Sequence, residues 1–203
     1  MDVIGADGAA IAAAIGEAEK RTAAELVVVV ARRCGSYRDV VLAAAAACAF
    51  VTLAVVLHVE VEVSEPLVLA ATAAGAALGA GAAASPLGRL LTGAARRVRQ
   101  AEDAARLAFL AQGVDRTRGR TGVLVHVALH EQRVSLVADR AVVSEVGPAE
   151  LELHRGALQA TLGGGAPAFG AALVALGEAL GKRLPRLPGD VDELPNAPVE
   201  AAA

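Results

Sequence analysis

The sequence is nearly without aromatic side chains: Tyr37, Phe50, Phe109 and Phe169 are the whole set, and tryptophan is absent. That removes the stacking platform on which single-stranded nucleic acids are held. Positive charge is not in excess either, with 19 Lys and Arg against 22 Asp and Glu and a formal net charge of −3. The chain as a whole projects no field toward a phosphate backbone, and nucleic acid is not an expected partner. Cysteine is scarce. Cys34 stands before a long apolar run and Cys48 within it, which excludes a routine disulfide and accords with a reducing compartment. The histidines make no metal pattern: His126 and His130 are four apart in a stretch that reads as a strand, about 13 Å between backbones at 3.3 Å per residue, too far for one zinc ion. His154 has no second ligand at helical spacing, and no metal or cofactor is expected. Gly163-Gly164-Gly165 has the composition of a phosphate loop, but no Lys-Ser/Thr follows and no strand precedes it, so it reads as a turn.

What the chain does have is two long apolar runs. Residues 40–59 hold no ionisable side chain except His58, and residues 67–88 hold none. Each is about 20 residues long, enough to cross a hydrocarbon core of roughly 30 Å at 1.5 Å per residue. Two helices apolar all round would need a thick protein shell, and the rest of this chain is too short to supply it. A transmembrane helical hairpin over 40–91 is therefore expected, with the lipid bilayer as a partner. Ala71, Gly75, Gly79 and Ala83 fall four apart, a small-residue ridge of the kind that lets helices approach closely in lipid. It serves either the pairing of the two spans or a homo-oligomer contact. Lys20, Arg21, Arg32, Arg33 and Arg38 precede the first span, Arg89, Arg96, Arg97 and Arg99 follow the second, and the link between them carries Glu60, Glu62 and Glu65. Positive residues stay inside. The expected location is the inner (plasma) membrane, multi-pass, with both termini and the soluble domain cytoplasmic. Residues 1–22 are charged where a secretory signal has an apolar core.

On either side the pattern is that of an ordinary α/β protein. Asp7 can cap a helix to about Arg21, with Ile11, Ile15, Ala18 and Thr22 on one face. Residues 25–31 form a β-branched run without alternation, a strand buried on both faces. After the hairpin, Leu91, Ala94, Val98, Ala101, Ala105 and Ala108 recur at helical spacing up to Gln112-Gly113. Residues 123–130 and 133–139 read as strands joined by a tight Glu131-Gln132 connection. Pro148 opens a helix carrying Leu151, His154, Leu158 and Leu162. Pro167 opens another with Phe169, Leu173, Leu176, Leu180 and Leu184, closed by Pro185. A strand, a crossover helix and a second strand give a parallel right-handed unit, and the tight connection makes the third strand antiparallel. The fold class is thus α/β, a small mixed sheet flanked by helices and interrupted by the hairpin. The segments are 1–39 and 92–185 for the α/β domain, 40–91 for the hairpin, and 186–203 for an acidic, Pro-rich tail expected to be disordered.

Several stretches together resemble a known family. Ile11-Ala-Ala-Ala-Ile15 with Glu17 and Thr22, Glu25-Leu-Val-Val-Val-Val30, Arg120-Thr-Gly-Val-Leu-Val125 and Arg133-Val-Ser-Leu-Val-Ala-Asp139-Arg140 look like a TPM domain. They resemble most its bacterial membrane-bound branch, in which a hairpin interrupts the domain after the first strand. In that branch the chain ends in a segment like Pro188-Gly-Asp-Val-Asp-Glu-Leu-Pro195. The resemblance covers nearly the whole chain. It implies an α/β sandwich and a life at membranes, where some relatives take part in photosystem repair and are proposed acid phosphatases, and others modulate membrane receptors.

The topology brings four charged residues to one sheet edge. Glu25 and Arg120 lie near two strand starts, Asp139 and Arg140 at the end of the returning strand. Two carboxylates and two guanidiniums there suit an ion or an anionic ligand, with the carboxylate pKa values expected below the ordinary range; structural salt bridges are the competing reading. This edge is expected to face the cytosol and the Glu131-Gln132 connection the membrane. Cys34, after Arg32 and Arg33, is either a thiol of lowered pKa or a bystander. The leading functional expectation is a domain that binds or scaffolds a membrane-associated protein partner. The alternative is a metal-assisted acid phosphatase acting through Asp139 and Glu25; Asp139 is followed by Arg-Ala-Val rather than x-Asp, unlike an aspartyl-nucleophile phosphatase.

Overall fold

Ile11, Ile15 and Ala18, spaced four and three apart, are all fully buried on one side of α1 (Ala6–Glu19). The apolar run that follows forms β1 (Glu25–Ala31), buried along its whole length as its lack of alternation requires. A computed structural model describes residues 6–59, 63–85, 88–189 and 192–201. The chain divides into two compact units, Gly35–Arg97 on the one hand and Met1–Cys34 with Val98–Ala203 on the other. Glu60, Glu62, Asp190 and Val191 lie outside the described residues.

The first unit is a pair of helices, α2 (Arg38–His58) and α3 (Glu65–Ala84), followed by the single turn α4 (Gly88–Leu91). Both long helices have the length and apolar composition to cross a membrane. No residue of α2 is buried, and in α3 only Gly75, Gly79 and Ala83 are. Those three belong to the small-residue ridge, and they meet α2. A Cβ added at Gly79 would fall 2.5 Å from the carbonyl oxygen of Ala44 and 2.8 Å from Cys48, and one at Gly75 would run into Thr52. The ridge thus serves the pairing of the two helices within one chain. Leu42, Phe50, Leu69 and Leu78 point outward, each about 70% exposed.

The second unit is an α/β fold. β1 is followed in sequence, after the hairpin and α5 (Ala94–Ala111), by β2 (Gly122–Ala128), β3 (Arg133–Ala138), α6 (Arg140–Val146), α7 (Pro148–Ala160), α8 (Gly165–Arg183) and β4 (Val199–Ala201). The sheet order is β3-β2-β1-β4. β1 and β2 run parallel in the register Glu25↔Gly122 to Ala31↔Ala128, and β3 returns antiparallel with Val123↔Ala138. One face carries Leu26, Val28, Val30, Val123, Val125 and Val127 beneath α1, α6, α7 and α8. The other carries Val27, Val29 and Leu124 beneath Ala105 and Phe109 of α5. A sheet covered on both faces is the arrangement that uniformly apolar strands demand.

Three local expectations are corrected. The connection from β2 to β3 is not a two-residue turn: it spans residues 129–132, and Gln132 takes the left-handed conformation (φ 53°) that Gly or Asn would ordinarily supply. α6 was not anticipated, because its seven residues are too few to show a helical period. In the segment 186–203, expected to be a disordered tail, the described residues are held against the sheet. β4 pairs parallel with β1 at Val29↔Val199, Arg32 Nε donates to Glu200 at 2.7 Å, and Leu194, Val199 and Ala201 pack against the α5 side of the core. Its polar composition masked three apolar contacts and a free strand edge that they cover.

The helix pair gives a direct test. Gly79→Leu should destabilise it by about 1–3 kcal/mol, the usual cost of overpacking. Gly81→Leu, whose added Cβ meets nothing within 4 Å, should leave it unchanged. Thermal unfolding of the two variants in detergent, followed by helical circular dichroism, would separate them.

Candidate functional site

The starts of β1 and β2 and the end of β3 form one end of the sheet, as the topology predicts. Glu25 lies opposite Gly122, and Asp139 donates its N–H to the Gly122 carbonyl at 2.8 Å. Arg120 precedes β2 in a left-handed turn (φ 54°), where its N–H bonds to Thr117 O and its own carbonyl accepts from Ala141 N. Its guanidinium donates to Asp115 O at 2.6 Å and stands 3.8 Å from Asp139 Oδ2. The other Asp139 oxygen, Oδ1, accepts the Arg140 N–H at 2.6 Å and caps α6.

The four expected residues therefore do not make one site. Arg120 and Asp139 form an ion pair. Arg140 contributes its backbone N–H, while its side chain is exposed on α6. Glu25 turns the other way: its Oε2 accepts from the Leu194 N–H at 3.3 Å, and the Glu193 N–H also bonds to it. Its pKa is raised, against the expected lowering. Burial is the main cause, opposed by those two backbone hydrogen bonds and reinforced by the charges of Asp192 and Glu193.

The residues missed from sequence are the partners of Glu25. Asp192 and Glu193, with Glu25, Arg118 and Thr121, line a cleft of about 630 Å³. Glu193 accepts the Arg118 N–H at 3.2 Å, and Arg186 links Asp192 (2.8 Å) to the Glu19 carbonyl (2.9 Å). Below the cleft Glu19 is only 2% exposed; its Oε1 accepts the Leu26 N–H at 2.9 Å, and its Oε2 has no hydrogen-bond partner. Burial, less the help of the Leu26 bond, pushes its pKa up to about 7, with the charges of Glu25 and Asp192 adding to the rise. The one signal in the sequence for Asp192 and Glu193 was that the Pro188–Pro195 segment entered the family resemblance.

At the opposite end of the sheet, Glu131 is buried and accepts the Cys34 N–H at 3.1 Å. Burial and that carboxylate push the Cys34 thiol up to about 12, the opposite direction to the lowering that Arg32 and Arg33 would cause. His126, 1% exposed in β2, is held below its ordinary pKa by burial, against the charge of Glu131. Among the described residues no three His, Cys, Asp or Glu side chains are grouped to hold a metal ion.

By fold the protein belongs to the mixed α/β class. No family model matches the chain, and no curated protein does. It is similar to a solved structure, the BA42 protein of the psychrophilic bacterium Bizionia argentinensis determined by NMR. The TM-score is 0.58 and the identity 19%, over 96% of this chain and 92% of that one. The likeness is one of fold.

Glu19 makes the stability of the α/β unit sensitive to pH. Its folded pKa lies above the ordinary 4.5, so its contribution is fully present below about pH 4.5 and is lost as pH rises through about 7. The loss is worth at most roughly 3 kcal/mol. His126, lowered rather than raised, has the opposite dependence, so the comparison must be made by difference. Glu19→Gln keeps an acceptor for Leu26 and removes the titration. Urea unfolding should show this variant gaining on the wild type by up to that amount between pH 4.5 and 8; a constant difference across the window would refute the assignment.

Proposed function

We propose that the chain is a membrane-anchored, TPM-like domain that binds or scaffolds a membrane-associated protein partner, with its α/β unit and both termini on the cytoplasmic side. The observation that carries this reading is the outward surface of α2 and α3. Leu42, Phe50, Leu69 and Leu78 are each about 70% exposed on two apolar helices long enough to cross a membrane, and lipid is the natural cover for helices of this length. The arginine-rich flanks support the orientation. At the cleft, the three carboxylates of Glu25, Asp192 and Glu193 stand against the guanidiniums of Arg118 and of Arg186, which pairs with Asp192; of the ion or anionic ligand expected from sequence, this balance favours a cation.

The geometry gives less to a phosphatase. Asp139 spends Oδ1 on the cap of α6, and Glu25 is bound to the backbone at Glu193 and Leu194, so neither carboxylate is presented toward a shared substrate position. The two readings separate on the full chain in detergent, assayed with a small phosphate ester with and without divalent cations. No turnover is expected. Turnover that disappears in both Asp139→Ala and Asp139→Asn, the second of which keeps the cap, would replace the binding reading with the enzymatic one.

Orientation is tested separately. With Cys34 and Cys48 replaced, single cysteines at positions 64, 36 and 144 should differ toward a membrane-impermeant thiol reagent in intact cells. Only Ser64→Cys should label; labelling of Ser36→Cys or Ser144→Cys would invert the orientation.

A further inference from the structure

The two edges of the sheet are treated differently. β1 is covered on its outer side by β4, whereas β3 ends the sheet with no strand beyond it among the described residues. Two bonds show which backbone groups of β3 point outward. The Val134 N–H donates to Gln159 Oε1 at 2.8 Å and the Val134 carbonyl accepts from Arg155 at 3.3 Å, both partners lying on α7. The Asp139 N–H points inward to Gly122. By the period of two, Val134, Leu136 and Ala138 face out and the residues between them face β2. α7 thus satisfies Val134, while the outward N–H and carbonyl of Leu136 and the N–H of Ala138 have no strand partner.

An uncovered edge is a template for another strand unless proline, a bulge or a covering element blunts it. β3 has no proline. What it has is a cleft of about 400 Å³ along residues 133–137, walled by Glu102 and Arg106 of α5 on one face and by Glu152 and Arg155 of α7 on the other. Two helical walls admit a single extended chain, whereas a second copy of this domain would bring its own α5 and α7 against them. The charges choose the kind of chain. Both oxygens of Glu152 are taken by Arg155, at 2.7 and 2.8 Å, and the lining as a whole sets the guanidiniums of Arg106, Arg133 and Arg155 against the two carboxylates of Glu102 and Glu152. Among the described residues Arg106 forms an ion pair with Asp103, at 3.7 Å and in solvent. One further carboxylate would balance the charge of this lining.

We propose that the β3 edge takes up an extended peptide as an added strand, hydrogen-bonded at Leu136 and Ala138. Its acidic side chains face Arg106 and Arg133, and its small apolar ones face Leu136. The inference rests on the binding-domain reading above and names the chemistry of the partner. It is tested with the full chain in detergent and a fluorescent, end-blocked hexapeptide of alternating valine and glutamate. Saturable binding is expected, with slowed hydrogen exchange at the Leu136 amide. N-methylation of one alternate set of peptide nitrogens should weaken binding at least tenfold and methylation of the other set should not, because only one set faces β3. Lysine in place of glutamate should also cost at least tenfold, and Arg133→Glu should reverse that preference. Absence of saturable binding, equal tolerance of both methylation patterns, or no discrimination between glutamate and lysine would each overturn the proposal. So would a peptide-free dimer in sedimentation that itself protects Leu136, which would give the edge to a second copy. Failure here would leave membrane insertion and the Glu25 cleft standing, and loss of membrane insertion would leave peptide binding standing.

Discussion

The parallel pairing of β1 with β2 is the constraint on which the rest depends. Parallel neighbours cannot be joined by a tight turn, so the chain must leave the C-terminal end of β1 and return to the N-terminal end of β2 through a crossover. α5 supplies that return, with Ala101, Ala105 and Phe109 buried. The crossover is also long enough to accept an insertion without disturbing the strand register, and the apolar hairpin lies in it. Because both strands are central and apolar on both faces, both faces need helices. α1, α6, α7 and α8 meet one demand, and α5 with the C-terminal segment meets the other.

The same pairing sorts the polar groups. Strand starts gather at one end of the sheet and strand exits at the other, and each end buries carboxylates that bond to backbone N–H groups: Glu19 and Glu25 at the starts, Glu131 at the exits. A carboxylate used in this way ties loops to the sheet and still resists ionisation when desolvation outweighs its hydrogen bonds. Glu19 and Glu25 are held in that balance. The end with the strand starts is therefore the electrostatically strained one, and a cationic group in its cleft would relieve the strain.

How much of this was legible follows from where the information is stored. Ile11, Ile15 and Ala18, the run Val27–Val30, and Leu173, Leu176 and Leu180 carry their periods in the sequence and are buried as those periods require. Strand order for β1, β2 and β3 followed from connection rules. The candidate site was legible only as an edge: Glu25, Arg120 and Asp139 do share one end of the sheet, but side-chain direction is not a sequence property, and Glu25 turned to the segment 192–194 instead of to Arg120. That segment was the blind spot. A short strand held by Val199 and Ala201, next to Glu and Pro residues, has no period to read, and its place is decided by the open edge of β1. Cys34 shows a similar limit: the adjacent arginines in sequence left a lowered pKa open, while burial beside Glu131, almost a hundred residues on, raises it.

An insertion of this size within a domain raises the question of how the strands find one another. Closing a longer loop costs little more than closing a shorter one, about 0.6 kcal/mol per doubling, provided the inserted segment does not hold its ends apart. Here the unit Gly35–Arg97 brings its own ends together. Arg96 forks onto both oxygens of Asp39, at 2.5 and 2.9 Å, donates to the Ser36 carbonyl at 3.2 Å, and stands 5.7 Å from the Tyr37 ring centroid. A planar guanidinium can make all of these contacts at once, and an ammonium cannot. The first and last residues of the unit are thereby neighbours, as the ends of an ordinary surface loop would be. For the α/β unit the hairpin is then equivalent to a short connection between β1 and α5, and the sheet register is free to be set by the strands alone.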